Sequence, residues 1–73
     1  MPGVPKHRRL LGEAVRAKRN EARFSQEKLA ERADLSTVFI SRIERGVESP
    51  TVDSLLKIAR ALSVRVHDLV ADF

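Results

Sequence analysis

The sequence predicts an all-α protein in which five short helices pack around one core. Apolar residues recur every three or four positions in five separate stretches, and no stretch alternates in the manner of a β-strand. Residues that cap or break helices, namely Ser, Thr, Gly and Pro, stand between these stretches. The chain has 73 residues. A typical domain has about 150 residues, so a chain of this length can form only a single hydrophobic core.

The beginning of the chain is basic, and a first helix follows it. Residues 1–5 contain two prolines and one glycine, which disfavour regular structure. We therefore expect residues 1–9 to form a flexible basic arm and residues 10–73 to form the folded domain. Apolar or long-stemmed residues then recur at helical spacing, at Leu11, Ala14, Val15, Lys18 and Ala22.

Two short helices separated by a sharp turn are predicted next. Ser25 is a favourable N-cap for a helix over residues 26–33, and Ser36 is one for a third helix over residues 37–45. The third helix should end at Gly46, because glycine readily adopts the left-handed conformation of a helix C-cap. The residues expected to be buried are Leu29, Ala30, Ala33, Ile40 and Ile43. This arrangement has the spacing of a helix-turn-helix.

A fourth and a fifth helix complete the predicted fold. Pro50 cannot continue the third helix, and Thr51 can cap the fourth. The expected buried face of the fourth helix is Val52, Leu55, Leu56, Ala59 and Leu62. A break at residues 63–64 then precedes a fifth helix whose apolar stripe is Val66, Leu69, Val70 and Phe73.

This C-terminal stripe has two interpretations. It can close the core of a single chain, as we expect for Leu69. Val70 and Phe73, however, lie where little chain remains to cover them, and an exposed apolar patch on a short domain usually marks an interface. We therefore predict a homodimer formed through the fourth and fifth helices, with an interface that contains Val66, Leu69, Val70 and Phe73.

Formal charge is distributed unevenly along the chain. The net charge of +4 is only a weak indication of a polyanionic partner. Residues 1–23 contain seven basic and two acidic side chains, for a charge of +5, whereas residues 24–45 are neutral and residues 46–73 carry −1. We expect a polyanion to contact the N-terminal part, although a solvated basic tail is the alternative.

The composition also excludes several classes of protein. With no Cys, neither a disulfide framework nor a thiolate metal site can stabilise the fold. No apolar run approaches the ~20 residues of a membrane span and no signal-peptide pattern is present, so we expect a cytoplasmic protein. His7 and His67 lack the surrounding groups that catalysis requires. We therefore expect no enzymatic activity, no metal and no cofactor.

Four motifs in the chain belong to a known family pattern. They are SQEKLA at residues 25–30, ISRIERG at residues 40–46, PTV at residues 50–52 and IARAL at residues 58–62. Over about residues 11–70 the chain resembles the Xre/Cro family of phage-repressor-like helix-turn-helix regulators. The resemblance implies a five-helix, λ-repressor-like DNA-binding domain.

The resemblance also implies roles for individual residues. The third helix would enter the major groove of double-stranded DNA and contact bases through Thr37, Val38, Ser41 and Arg42. Contacts to the DNA backbone would come from Gln26, Ser36, Phe39 and Arg45, and the arm can add Arg8 and Arg9. Arg19 and Glu44 match positions that form a structural ion pair between the first and third helices.

Three features depart from the family pattern. Asp34 stands where the family usually has glycine in a left-handed turn, a conformation that Asp tolerates at small cost. Residues 47–49 replace a loop that is often basic, which lowers the number of phosphate contacts expected there. Arg65 replaces the usual cap of the fifth helix, so we expect that helix to fray at its start.

These features predict a sequence-specific transcriptional regulator that binds a (pseudo)palindromic operator as a homodimer at the nucleoid. The expected subtypes are a restriction–modification controller and a phage-type repressor, with RNA polymerase as a candidate further partner. The alternative is an antitoxin-like protein-interaction module with secondary DNA binding, whose partner would be a toxin.

Overall fold

The computed structural model describes residues 3–73, and five α-helices lie in that range. They are α1 (Lys6–Glu21), α2 (Gln26–Ala33), α3 (Thr37–Glu44), α4 (Val52–Ala61) and α5 (Val66–Val70). No strand occurs among these residues. The predicted all-α, five-helix fold is therefore confirmed.

Side-chain caps fix the starts of the three central helices. The hydroxyls of Ser25, Ser36 and Thr51 each accept a hydrogen bond from the backbone N–H three residues further on, at 3.0, 3.0 and 3.1 Å. Between α2 and α3, Asp34 adopts the left-handed conformation, with φ 56° and ψ 47°. The turn of the helix-turn-helix thus forms with Asp in place of the usual glycine.

Helix α1 begins earlier than the sequence predicts. It starts at Lys6, so the basic residues up to Arg9 are helical, and the predicted flexible arm does not extend to residue 9. The carbonyl of Pro5 accepts hydrogen bonds from the backbone N–H groups of Arg8 and Arg9, at 3.0 and 3.1 Å. Proline suits this position because it needs no N–H partner and its φ of −54° is close to helical. Residues 1–2 of the predicted arm lie outside the described residues.

The start of α5 is capped by Asp68, which was not predicted. Arg65 offers no side-chain acceptor, but the Asp68 carboxylate accepts a hydrogen bond from the Arg65 backbone N–H at 3.0 Å. This hydrogen bond lowers the pKa of Asp68 below its usual value. Asp68 therefore opposes the fraying that we predicted for this helix.

The core receives at least one fully buried side chain from every helix. The largest are Val15, Leu29, Ile40, Ile43, Ile58 and Leu69. Helix α3 packs between α1 and α2, α4 packs on α2 and α5, and α5 returns to α1. The second and third helices, which form the helix-turn-helix, are thus supported from both sides.

Two residues of the predicted α4 face lie outside the core. Val52 is 77% exposed and Leu56 is 38% exposed. The residues that pack inward are Leu55, Ile58 and Ala59 of α4 and its C-cap residue Leu62. At about 100° per residue, Val52 and Leu56 lie to one side of that stripe, which explains their exposure.

Gly12 allows α1 to approach the end of α3 closely. A Cβ atom at this position would lie 2.6 Å from the carbonyl oxygens of both Ile43 and Glu44. Any side chain would force the two helices apart, so glycine sets the distance between α1 and the C-terminus of α3. No helix within residues 3–73 is long and apolar enough to cross a membrane.

Candidate nucleic-acid interface

Helix α3 has one buried face and one face that is open to solvent. Ile40 and Ile43 are completely buried, whereas Val38 is 67% exposed. The predicted base-contacting residues Thr37, Val38, Ser41 and Arg42 lie together on the side away from the core. Val38 and Arg42 are exposed and Thr37 and Ser41 are half-buried, and the four share the face of α3 that is turned away from Ile40 and Ile43.

Glu44, at the end of α3, has a fully buried side chain in an ion-pair network. Its Oε2 atom lies 2.6 Å from Nε of Arg19, and its Oε1 atom accepts a hydrogen bond from Nη2 of Arg19 at 3.1 Å. The predicted pair is thus present with two-point geometry. Arg19 also donates to the carbonyl of Phe24 at 2.8 Å, which joins α1 to the segment before α2.

Two further side chains in this network were not predicted to contact Glu44. Arg16 Nε lies 3.3 Å from Glu44 Oε1, and the Gln26 amide donates to the same oxygen at 3.1 Å. Arg16 stands one helical turn before Arg19, so their spacing could have indicated a shared contact. Because the amide of Gln26 is held by Glu44, the start of α2 is fixed relative to α3.

The network keeps Glu44 ionised. Burial of the carboxyl raises its pKa, but hydrogen bonds from Arg19, Gln26 and Arg16, together with the charge of Arg19, hold the pKa of Glu44 below its usual value. The hydrogen bond with Glu44 in turn raises the pKa of Arg19. Two guanidinium groups facing one carboxylate leave a net positive charge beside the start of α2.

Arg42 pairs with a residue that the sequence analysis did not assign. Its Nε atom lies 3.3 Å from Oε1 of Glu48, in the loop after α3. About half of the Arg42 side chain is exposed, so the guanidinium remains at the surface. Sequence spacing alone did not indicate this pair, because it depends on the turn between the two residues.

The predicted DNA-backbone residues differ in their surroundings. Ser36 caps α3, and Arg45 is exposed at the end of that helix. Phe39, predicted to contact the DNA backbone, is half-buried and packs against the core. Arg9 pairs with Glu13 at 3.1 Å on the surface of α1. Arg8 Nε is buried and has no hydrogen-bond partner within the described part of the chain.

The C-terminal stripe divides between the core and the surface. Leu69 is only 2% exposed and belongs to the core of the single chain, as expected, so its side chain is not available to the predicted dimer interface. Val66 and Val70 are half-buried. Phe73 is 57% exposed, and its ring meets His7 edge to face with centroids 6.1 Å apart.

The fold and this surface define the class of helix-turn-helix regulators. Residues 15–69 match the family described as Helix-turn-helix (HTH_3), and the chain belongs to this family. The predicted resemblance to Xre/Cro-type regulators is confirmed. No group of three or more His, Cys, Asp or Glu side chains within residues 3–73 could hold a metal ion.

Named regulators are among the similar proteins. The control protein C.BamHI of Bacillus amyloliquefaciens is 44% identical over 64 residues, which cover 86% of this chain and 79% of that protein. The immunity repressor of Bacillus phage phi105 is 34% identical over 62 residues. That match covers 85% of this chain but 43% of the phage protein, so the chain spans less than half of the longer relative.

Two solved structures have the same fold. The restriction-modification controller protein C.AhdI from Aeromonas hydrophila superposes with a TM-score of 0.83 at 29% identity, over 85% of this chain and 94% of the controller. SinR, described as a master regulator for biofilm formation and crystallised in complex with DNA, has a TM-score of 0.78 at 33% identity. The superposition covers 81% of this chain and 95% of the crystallised SinR chain.

Proposed function

We propose that this protein is a transcriptional regulator that binds a specific, (pseudo)palindromic DNA operator as a homodimer. The observation that carries the proposal is the outer face of α3, where the exposed Val38 and Arg42 and the half-buried Thr37 and Ser41 lie together, while Ile40 and Ile43 on the opposite face are buried in the core. A helix presented in this way fits the major groove of B-DNA. Such a protein needs no cofactor or catalytic group and would act at the nucleoid.

The four side chains on α3 supply different kinds of base contact. Arg42 can donate two hydrogen bonds to O6 and N7 of guanine, which is the commonest specific contact in the major groove. Thr37 and Ser41 carry hydroxyls that can donate to or accept from base edges. Val38 offers methyl groups to the methyl of thymine. This set predicts an operator in which at least one guanine per half-site is strongly preferred.

Contacts to the DNA backbone would hold α3 in the groove. Gln26 lies at the start of α2, where free backbone N–H groups and the helix dipole favour a phosphate. The net positive charge of the Glu44 network, beside this site, favours the same contact. Further backbone contacts are assigned to Ser36, Phe39 and Arg45, and on α1 to Arg8 and Arg9.

A dimer would give the protein two recognition helices. The proposed interface contains Val66, Val70 and Phe73, together with the exposed Val52 and Leu56 of α4. One domain of this size buries little surface on DNA, whereas a two-fold dimer reads two half-sites about 34 Å apart. The higher identity to the control protein than to the phage repressor supports the controller subtype.

Selection of binding sites from random DNA tests the proposal. The purified protein is incubated with a random DNA library at about 0.1 M salt, and bound fragments are amplified and sequenced. We expect an inverted repeat with a guanine in each half-site. Equal affinity for the enriched DNA and for random DNA, measured by gel shift, would reject sequence-specific binding.

A further inference from the structure

The carboxylate of Glu48 lies beside the proposed base-reading face, although phosphates would repel it. Oε1 of Glu48 is 3.3 Å from Nε of Arg42, and the side chain of Glu48 is only 32% exposed. An acidic group at a DNA-binding surface lowers affinity for every sequence because the duplex is densely negative. Its position therefore calls for a role other than attraction to DNA.

The turn after α3 fixes Glu48 relative to Arg42. The backbone N–H of Val47 donates to the carbonyl of Arg42, and the N–H of Gly46 donates to the carbonyl of Ile43, both at 3.0 Å. These two hydrogen bonds form a Schellman motif, which reverses the chain tightly at the end of a helix. Glu48, which follows this motif, is thus brought back towards the side chain of Arg42 in the last turn of α3.

Gly46 allows this tight turn to form beside the segment that precedes α1. Its φ of 77° is left-handed, and a Cβ there would lie 2.6 Å from Cγ1 of Val4. Gly46 is buried, so the segment before α1 covers the turn on its inner side. The backbone of both partners is therefore fixed, that of Arg42 by α3 and that of Glu48 by the turn, and the two side chains meet at a partly exposed surface.

The contact leaves the other end of the guanidinium free. Within residues 3–73, Glu48 is the only acidic partner of Arg42, and its carboxylate lies 3.3 Å from Nε rather than beside the terminal amino groups. The two terminal N–H donors that point in parallel are the ones suited to O6 and N7 of guanine in an end-on contact. We propose that Glu48 is a positioning residue for specificity, which holds Arg42 for guanine recognition and away from phosphates.

This inference rests on the proposed function and adds a second effect of Glu48. Because the carboxylate neutralises Arg42, the arginine contributes little to binding of random sequence. When Glu48 is removed, Arg42 is free to contact a phosphate of any sequence. Non-specific affinity should then rise, and the dependence of log K on log salt should steepen by about one. Selectivity for guanine should fall at the same time.

The test compares Glu48→Ala with Glu31→Ala, which also removes one negative charge and one surface ion pair, to Lys28 at 3.4 Å on α2. Arg42→Ala and the double variant Arg42→Ala/Glu48→Ala complete the set. For each protein, dissociation constants are measured over a salt series on the site selected by the wild type, on the same site with adenine replacing guanine, and on random DNA. Thermal melts check that every variant is folded.

We expect Glu48→Ala to reduce the guanine-to-adenine selectivity at least about fivefold. This is part of the discrimination that a bidentate arginine contact to guanine supplies. Its salt slope on random DNA should steepen by about one, while Glu31→Ala retains the wild-type selectivity. In the Arg42→Ala background, loss of Glu48 should leave the selectivity unchanged.

Two results would overturn the inference while leaving the proposed function intact. One is a folded Glu48→Ala protein whose guanine selectivity stays within twofold of the wild type. The other is the same loss of selectivity with and without Arg42, because Glu48 would then act through something else. A wild-type protein that selects no sequence would instead reject the proposed function itself.

Discussion

Arg19 and Glu44 are 25 positions apart in the chain, yet two hydrogen bonds of 2.6 and 3.1 Å join their side chains. The contact ties α1 to the C-terminal end of α3, and Gln26 extends it to α2. The Glu44 carboxylate is fully buried, so only these partners compensate for the loss of water around its charge. The proposed DNA-reading helix is therefore tied at its C-terminal end, by an ionic network, to α1 and to the start of α2.

Loss of the Glu44 charge should destabilise the fold. In Glu44→Gln, the guanidinium of Arg19 would remain largely buried without its counter-ion, at a cost of about 3 kcal/mol. Chemical denaturation monitored by circular dichroism measures this change in the free energy of unfolding. Glu13→Gln, which breaks the exposed pair with Arg9, is the control and should cost less than about 1 kcal/mol. Equal effects of the two substitutions would contradict a structural role for the network.

The same carboxylate should make stability depend on pH. The pKa of Glu44 in the folded protein is below its ordinary value of 4.5. Its contribution to stability is therefore fully present above pH 4.5 and is lost as the pH falls through the lowered pKa. We expect the free energy of unfolding to fall below that pH more steeply in the wild type than in Glu44→Gln. Parallel profiles from pH 7 to pH 2 would show that Glu44 is not responsible.

Gly12 provides a steric test of the packing between α1 and α3. The added methyl of Gly12→Ala would meet two backbone carbonyls at 2.6 Å, which cannot move as a flexible side chain does. We expect a loss of about 1–3 kcal/mol in the free energy of unfolding, although alanine favours helix over glycine. Gly3→Ala is the matched control, because a Cβ there has no atom within 4 Å. A stabilised Gly12→Ala protein would show that the helices pack less closely.

The sequence predicted the helices well because their signals are local. Ser25, Ser36 and Thr51 act as the caps that their residue types favour, and Gly46 adopts the expected left-handed conformation. The start of α1 was placed too late, because residues 6–9 are polar and carry no apolar periodicity. The helix forms there nevertheless, because Lys and Arg have a favourable helix propensity and Pro5 suits the position before the first turn.

The parts of the site that were not predicted depend on contacts between elements. Gly12 and Glu48 gave no local signal, since the role of each arises from a second segment that folds against it. Similarly, the spacing of Leu69 indicates an apolar stripe but not which members face the core. Only the packing of α5 on α1 and α4 separates Leu69 from Phe73.

Substitutions on α3 should separate base contacts from backbone contacts. Arg42→Ala should remove the preference for one guanine per half-site, which corresponds to roughly 1–3 kcal/mol of discrimination. Arg45→Ala, three residues further along and exposed, should weaken binding to all sequences alike and reduce the salt slope by about one. Competition gel shifts with single-base variants of the selected site measure both. Uniform weakening by both substitutions would show that Arg42 contacts phosphate.

The exposed end of the chain should control self-association. Phe73 is 57% exposed, so a charge at this position has little effect on the core but opposes burial in an apolar interface. We expect Phe73→Glu to remain helical and to shift the protein from dimer to monomer in sedimentation velocity, with a correspondingly weaker affinity for a two-half-site operator. Val38→Glu is the control: Val38 is also apolar and is 67% exposed, so this variant should stay dimeric but lose DNA binding. A fully dimeric Phe73→Glu protein would place the interface elsewhere.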